Sequence, residues 1–119
     1  MNIYVSHSSN FDYEKELYSP IKDSDLYKNN TVILPHEVEE TRKNSKEYIR
    51  NSDMIIAEVS YPSTGQGIEL GWAESFGKRI ICIHKKGNKL SNSLKAVSSQ
   101  FIEYEDINEV IRQILNLNA

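Results

Sequence analysis

The fold is decided by residues 57–73, which read AEVSYPSTGQGIELGWA. The run 54–59, which overlaps the start of this stretch, is apolar and rich in β-branched side chains, and it predicts a buried strand. Pro62 ends that strand, and Ser63 or Thr64 can cap a helix after it. Apolar side chains then recur at helical spacing: Ile68, Leu70, Trp72, Ala73 and Phe76. The stretch therefore predicts a strand, a loop and a helix in direct succession.

The loop of this unit has the composition of a ligand-binding loop. In an open α/β sheet, the loops at the carboxyl ends of the strands are where ligands bind. Gly65 and Gly67 leave backbone N–H groups approachable, and the start of the helix adds partial positive charge. Ser63 and Thr64 contribute hydroxyl groups. Because Glu69 lies about one turn inside the helix, a phosphate or sugar held by the loop would meet a carboxylate.

Strands and helices alternate along the whole chain. We predict strands over residues 2–6, 31–34, 53–59, 79–84 and 101–104. We predict helices over residues 11–26, 45–51, 64–76, 90–97 and 106–117, with a disturbance at Pro20 and a loop over 38–44. This alternation predicts a three-layer α/β sandwich around a five-stranded parallel sheet, with the flavodoxin-like strand order 2-1-3-4-5. In that order the loops 6–10 and 60–69 share one crevice.

Length and composition predict one domain spanning residues 1–119, with 39% hydrophobic and 26% charged residues. A net charge of −3 argues against a nucleic-acid polymer as the partner. We find no secretory leader and no apolar run long enough to cross a bilayer, so we expect a cytoplasmic protein without a membrane partner. Cys82 lies in an apolar run and predicts a buried thiol. The spacing of cysteine and histidine predicts neither a metal nor another cofactor.

Residues 52–73, followed by 77–83, resemble the nucleoside 2-deoxyribosyltransferase superfamily, and within it the 2'-deoxynucleoside 5'-phosphate N-hydrolase branch. The similarity continues in chain order, since residues 3–6 resemble the first strand of the family and residues 34–37 resemble the end of its second strand. The resemblance implies a homodimer that acts on a small nucleotide or nucleoside. It also implies cleavage of an N-glycosidic bond, either by hydrolysis or by transfer of the sugar.

The resemblance assigns the chemistry to two residues. Glu69 falls on the catalytic glutamate, which attacks the anomeric carbon of the sugar and displaces the base. Tyr4 falls on the tyrosine that orients this glutamate. A covalent sugar–carboxylate intermediate, released by water or by an acceptor base, is an established strategy for glycosidic bonds. From the residues alone, Glu69 equally suits a helix N-terminus favoured by the dipole, and Tyr4 suits a core position.

The resemblance also implies a site for the 5'-phosphate. Ser63 falls on the phosphate-contacting position of the hydrolase branch, where transferases carry an aspartate that would repel a dianion. Ser91 matches a serine that is contributed across the dimer interface. The remaining members of the implied phosphate and substrate site are His7, Ser8, Ser9, Asn10 and Gly65.

Three positions depart from the family pattern. The family places an aspartate eight residues before Asp53, where this chain has Ser45. A serine hydroxyl can form hydrogen bonds but cannot act as a carboxylic acid near neutral pH. Asn10 stands at or near the first-loop arginine, and His7 stands at a glycine. His7 can supply the missing positive charge. Three side chains can replace the missing acid: His36, Glu37 and Glu47.

Two other interpretations remain open. Residues 5–9, VSHSS, followed by an acidic helical segment, resemble the opening of Toll/interleukin-receptor domains, which share the flavodoxin-like arrangement. Some of these domains cleave NAD with a helix glutamate, and others act in signalling by assembly. This interpretation explains His7 better and residues 62–71 less well. The other interpretation is a protein that binds a nucleotide but has lost turnover.

Overall fold

The computed structural model describes residues 1–117 and contains a five-stranded sheet of order β2-β1-β3-β4-β5. The strands are β1 Asn2–His7, β2 Thr31–Ile33, β3 Met54–Glu58, β4 Arg79–Lys85 and β5 Gln100–Tyr104. All neighbouring strands are parallel, and in the β1–β3 pair Tyr4 lies opposite Ile55 and Ser6 lies opposite Ala57. The predicted parallel sheet and its strand order are confirmed.

Helices cover both faces of this sheet. They are α1 Ser19–Lys22, α2 Asp25–Asn29, α3 Glu39–Lys43, α4 Ser45–Arg50, α5 Thr64–Ser75 and α6 Ile107–Leu117. A π-helical segment, Glu14–Tyr18, runs directly into α1, and a 3-10 helix, Asn92–Ala96, precedes β5. The predicted strand–loop–helix unit is present as β3 and α5. Gly77 follows α5 with φ of 71°, in the left-handed region that favours glycine at the end of a helix.

The structure differs from the sequence prediction in two segments. The predicted loop over 38–44 contains α3, which has acidic residues in its first turn and basic residues in its last, and an ion pair of 3.3 Å joins Glu39 to Lys43. This helix lacks apolar periodicity because Thr41 is its one buried side chain. In the predicted helix over 11–26, the helix breaks at residues 23–24, and the disturbance predicted at Pro20 is present as the π-helical segment before it. The Ser19 N–H donates to the carbonyl of Glu14, five residues back, and the π-helical segment leads into Pro20, which has no N–H to donate.

Alternation along β1 directs its side chains into two cores. Ile3 and Val5 pack on the face covered by α1 and α6, whereas Tyr4 packs on the face covered by α5. Cys82 lies in the second core, as predicted, and burial raises the pKa of its thiol to about 11. None of the helices formed by residues 1–117 has the length and apolar character that a bilayer span requires.

Candidate active site

A carboxylate from α5 is held by two hydroxyl groups from β1. The Tyr4 hydroxyl donates to Glu69 Oε2 at 2.5 Å, and the Ser6 hydroxyl donates to Glu69 Oε1 at 2.9 Å. Tyr4 and Ser6 are alternate residues of one strand, so both point to the α5 side of the sheet. The structure therefore brings together Tyr4 and Glu69, 65 residues apart in the chain. The sequence interpretation missed Ser6, although its spacing from Tyr4 was the signal that could have found it.

The surroundings of Glu69 act on its protonation in opposite directions. Burial raises the pKa of the Glu69 carboxyl group, and the hydrogen bonds from Tyr4 and Ser6 lower it; the net shift is upward. Burial, with the adjacent Glu69 charge as a smaller cause, raises the pKa of Tyr4. Tyr4 therefore stays protonated and remains a hydrogen-bond donor across the physiological pH range. The site holds a carboxylate that is partly desolvated and fixed in orientation.

The loop before α5 is fastened to the first strand. The Ser63 hydroxyl accepts a hydrogen bond from the backbone N–H of Gln66 at 3.4 Å and caps α5, as the sequence predicts. The Gln66 side-chain amide donates to the carbonyl of Ser6 at 3.2 Å and to that of Glu58 at 2.8 Å. This buried amide thereby ties the ends of β1 and β3 together. Sequence reasoning assigned no role to Gln66.

A second glutamate, which is fully buried whereas Glu69 is half-buried, supports the same loop from behind. Glu58 is 1% exposed, and its carboxylate accepts hydrogen bonds from the Ser60 N–H at 2.6 Å, from the Ser60 hydroxyl at 3.0 Å and from the Tyr104 hydroxyl. The Lys85 N–H in turn donates to the Ser60 hydroxyl at 2.8 Å. Three protein donors therefore engage both oxygens of Glu58, which holds the loop, whereas Glu69 lines an open pocket.

That pocket has a volume of about 350 Å³, a size suited to a small ligand. Its lining residues come from the carboxyl ends of β1 and β2, from the loop after β3 and from the helices α3 to α5: Tyr4, His7, Ser9, Pro35, His36, Arg42, Ser45, Ser63, Gly65, Gln66, Ile68, Glu69 and Trp72. The loops after β1 and β3 thus share one crevice, as predicted. Ser63, Gly65 and Glu69 form what we term the α5 wall of the pocket.

The histidine at the end of β1 is held as a neutral ring. His7 Nδ1 donates to the Ser8 carbonyl at 2.8 Å, and His7 Nε2 accepts from the Tyr18 hydroxyl at 2.6 Å. The Tyr18 hydroxyl accepts in turn from the His36 N–H at 3.1 Å. Burial lowers the pKa of His7 to about 4. His7 lines the pocket, but near neutral pH it supplies no positive charge, contrary to the sequence hypothesis.

Only part of the remaining predicted phosphate loop faces the pocket. Ser9 lines the pocket. Ser8 is buried instead, where its hydroxyl accepts from the Asn10 N–H at 3.0 Å, and Asn10 is exposed. Within residues 1–117, Ser8 and Asn10 lie outside the pocket lining. Ser91 lines a separate cavity of about 370 Å³ on the other side of Ser63, so within one chain it does not join Glu69.

The opposite side, which we term the β2 wall, consists of Pro35, His36, Arg42 and Ser45. Burial, and secondarily the charge of Arg42, lowers the pKa of His36, so this ring is also neutral near pH 7. Two of the acids considered as replacements for the family aspartate are engaged elsewhere. Glu37 pairs with Lys22, Glu47 pairs with Arg50 at 3.1 Å, and neither belongs to the pocket lining formed by residues 1–117.

Arg42 is the residue of the β2 wall that sequence reasoning missed. Its place in the pocket depends on α3, and that segment was predicted to be a loop. Helices α3 and α4 follow one another with only Asn44 between them, and Arg42 of α3 and Ser45 of α4 both line the pocket.

No protein-family model matches the chain. Human 5-hydroxymethyl-dUMP N-hydrolase is 36% identical to it over 66 residues, which cover 50% of this chain and 38% of the human protein. A solved 2-deoxyribosyltransferase from Bacillus psychrosaccharolyticus is 26% identical, with a TM-score of 0.66, and the similarity covers 92% of this chain and 90% of that one. The resemblance to the nucleoside 2-deoxyribosyltransferase superfamily is confirmed.

The similarity differs in extent between sequence and fold. The chain spans about half the length, or less, of the curated relatives it matches. A solved CMP N-glycosidase from Clostridium botulinum superposes on all of this chain with a TM-score of 0.67, but at 22% identity it supports the fold alone. The likeness to the deoxyribosyltransferase fold therefore extends over the whole chain, while the sequence similarity to the curated hydrolases is confined to part of each protein.

Proposed function

We propose that this chain cleaves the N-glycosidic bond of a nucleoside or 2'-deoxynucleoside 5'-monophosphate, with Glu69 as the nucleophile. The observation that carries the proposal is the Glu69 carboxylate itself. It is fixed by Tyr4 and Ser6, partly desolvated, and open to a pocket whose nearby wall is a helix N-terminus. The curated relatives support the substrate class, since they are named for hydrolysis of 5-hydroxymethyl-dUMP, a 2'-deoxynucleoside 5'-monophosphate.

The geometry suits a double displacement. A Glu69 oxygen attacks the anomeric carbon, the bond from that carbon to the base nitrogen breaks, and the bonding electron pair leaves with the base. Water then cleaves the sugar–glutamate ester and releases the sugar phosphate; an acceptor base in place of water would give transfer. The hydrogen bonds from Tyr4 and Ser6 favour the ionised nucleophile, and they leave its remaining lone pairs free for attack.

The α5 wall suits the 5'-phosphate. Ser63 and Gly65 stand at the N-terminus of a 12-residue helix, where the backbone dipole favours an anion. Ser9 faces the same pocket from the first loop. A neutral hydroxyl at position 63 also adds no negative charge that would repel a phosphate dianion.

We also propose that the protein is a single-domain, cytoplasmic homodimer in which Ser91 reaches the pocket of the partner. Within one chain, Ser91 lines a cavity that has Ser63 and Gln66 in common with the Glu69 pocket. The arrangement fits a surface that a second copy would complete. Light scattering of the purified protein measures the dimer, and a Ser91→Ala variant that weakens the dimer or the affinity for a monophosphate would support this role.

Product analysis tests the function. Purified protein is incubated with 2'-deoxynucleoside monophosphates, CMP, the matching nucleosides and NAD, and released bases are separated by chromatography. The Glu69→Gln variant is compared with Glu74→Gln, which alters an exposed glutamate of the same helix. We expect base release from a monophosphate, a loss of about 10³-fold or more in Glu69→Gln, and no change in Glu74→Gln.

Three other results would contradict the proposal. Nicotinamide release would favour the Toll/interleukin-receptor interpretation. Binding of a monophosphate without turnover would indicate a nucleotide-binding protein. Equal activity in the wild type and Glu69→Gln would exclude Glu69 as the nucleophile.

A further inference from the structure

One cation of the pocket has no assigned partner. Arg42 lines the pocket that contains Glu69, and within residues 1–117 its guanidinium makes no ion pair. Two other cations of α3 and α4 do form ion pairs, Lys43 with Glu39 at 3.3 Å and Arg50 with Glu47 at 3.1 Å. Arg42 is therefore a free positive charge that faces the space in front of the nucleophile.

The position of Arg42 distinguishes it from a phosphate ligand. The phosphate-binding features, Ser63 and Gly65, follow β3, whereas Arg42 belongs to the β2 wall, and β1 with Tyr4 lies between these strands in the sheet. The charge of Arg42 acts on His36, its neighbour on the β2 wall. A substrate with its phosphate at the α5 wall and its anomeric carbon at Glu69 therefore directs its base toward Arg42.

Negative charge develops on the departing base beside the β2 wall. When the glycosidic bond breaks, the bonding electron pair remains on the base, which must be protonated or otherwise stabilised. Ser45, at the position of the family aspartate, lines the β2 wall and has no carboxylic proton to give. A guanidinium cannot give a proton near neutral pH either, but it can stabilise an anion with a fork of N–H donors.

We propose that Arg42 stabilises the negative charge that develops on the departing base, and that the base leaves as an anion and takes its proton from water afterwards. This inference rests on the proposed function of Glu69. It predicts a preference for pyrimidines, because in these bases a carbonyl oxygen adjoins the glycosidic nitrogen and shares the developing charge. Pro35, Ile68 and Trp72 provide apolar surface beside the same space.

Kinetics on a graded set of leaving groups tests this role. Arg42→Gln, Arg42→Lys and the matched control Lys43→Gln are assayed with the 5'-monophosphates of 5-fluoro-2'-deoxyuridine, 2'-deoxyuridine and thymidine, whose bases are progressively weaker acids. We expect Arg42→Gln to lower kcat roughly 10- to 100-fold. The loss should be largest for thymidine monophosphate, partial in Arg42→Lys, partly reversed by added guanidinium ion, and absent in Lys43→Gln.

Two outcomes would overturn the inference while leaving the proposed function intact. The first is an unchanged kcat in Arg42→Gln. The second is a rise in KM for monophosphates but not for nucleosides, which would identify Arg42 as a phosphate ligand.

A binding measurement tests Arg42 independently of turnover. Calorimetry compares uracil with 5-nitrouracil, which is an anion near neutral pH, in the presence of sugar phosphate. We expect Arg42→Gln to weaken the binding of 5-nitrouracil more than that of uracil. Equal weakening of the two would contradict the inference, whether or not the wild type turns over.

Discussion

The two walls of the pocket differ in how firmly their polar groups are held. On the α5 wall, Glu69 accepts two hydrogen bonds from β1, and the buried Gln66 amide ties the loop to two strands. On the β2 wall, His36 Nδ1 has a long contact of 3.4 Å with the Tyr13 hydroxyl, and Arg42 is exposed. Groups that react must be held in place before the substrate arrives. The firmly held wall carries Glu69 and Ser63, which match the family pattern, and the loosely held wall carries Ser45, which departs from it.

Among the variants that test this difference between the walls, we expect Tyr4→Phe to have the largest effect on kcat. This substitution removes a donor from Glu69 and leaves Oε2 without its partner at 2.5 Å. We expect kcat to fall about 100-fold, a typical cost for one preorganised donor. Because this hydrogen bond lowers the pKa of Glu69, its loss raises that pKa further. The acidic limb of the rate profile, which follows ionisation of Glu69, should therefore move to higher pH.

The control for Tyr4→Phe is His36→Gln on the β2 wall. This variant should leave the acidic limb in place, since His36 is not among the groups that shift the pKa of Glu69. A profile of kcat against pH for both variants checks the contrast. An equal shift of the acidic limb in Tyr4→Phe and His36→Gln would show that the α5 wall does not control the ionisation of Glu69 more than the β2 wall does.

We expect Ser45→Asp to have a smaller effect on kcat. This effect should be a decrease in the wild type and an increase in the Arg42→Gln variant. In the wild type, a carboxylate at position 45 would share the β2 wall with Arg42, and we expect kcat to fall a few-fold because the new negative charge offsets that cation. In Arg42→Gln, the same carboxyl group is free to act as an acid, and we expect kcat to rise, roughly tenfold. The double-mutant cycle measures this coupling. Equal effects in both backgrounds would separate the roles of Arg42 and Ser45.

The smallest effect concerns stability. The folded state raises the pKa of Glu69, mainly through burial, so ionisation of Glu69 costs folding free energy. That cost is absent in acid, where the group is protonated in both states, and it is present in full above the raised pKa. We therefore expect Glu69→Gln to melt at a higher temperature than the wild type near neutral pH, with the difference vanishing as the pH falls below the ordinary range of a glutamate. Thermal melts across this range check the sign, and an advantage confined to acid would contradict it.

The sequence predicted the firmly held wall better than the other for a physical reason. Glu69 and Ser63 lie in one continuous strand–loop–helix unit, whose apolar spacing and capping residue specify its geometry locally. Tyr4 needed only the strand order, which the alternation of elements predicted. Ser6 was missed, although the two-residue period of a strand could have placed it beside Tyr4.

The β2 wall depends on features that carry little local signal. Helix α3 has almost no buried face, so apolar periodicity could not reveal it, and Arg42 was overlooked with it. His7 is neutral because the folded chain buries its ring, and the buried Ser8 hydroxyl accepts from the Asn10 N–H in a local turn. The burial of a side chain such as His7 depends on tertiary contacts and not on the composition of the loop.

The central claim is that Glu69 becomes bonded to the sugar. The most direct measurement is mass spectrometry of an acid-quenched turnover mixture, followed by peptide mapping. We predict a protein fraction heavier by one sugar phosphate less water, with the added mass on the peptide that contains Glu69 and absent in Glu69→Gln. An adduct on another residue, or base release that persists at the wild-type rate in Glu69→Gln, would contradict the account.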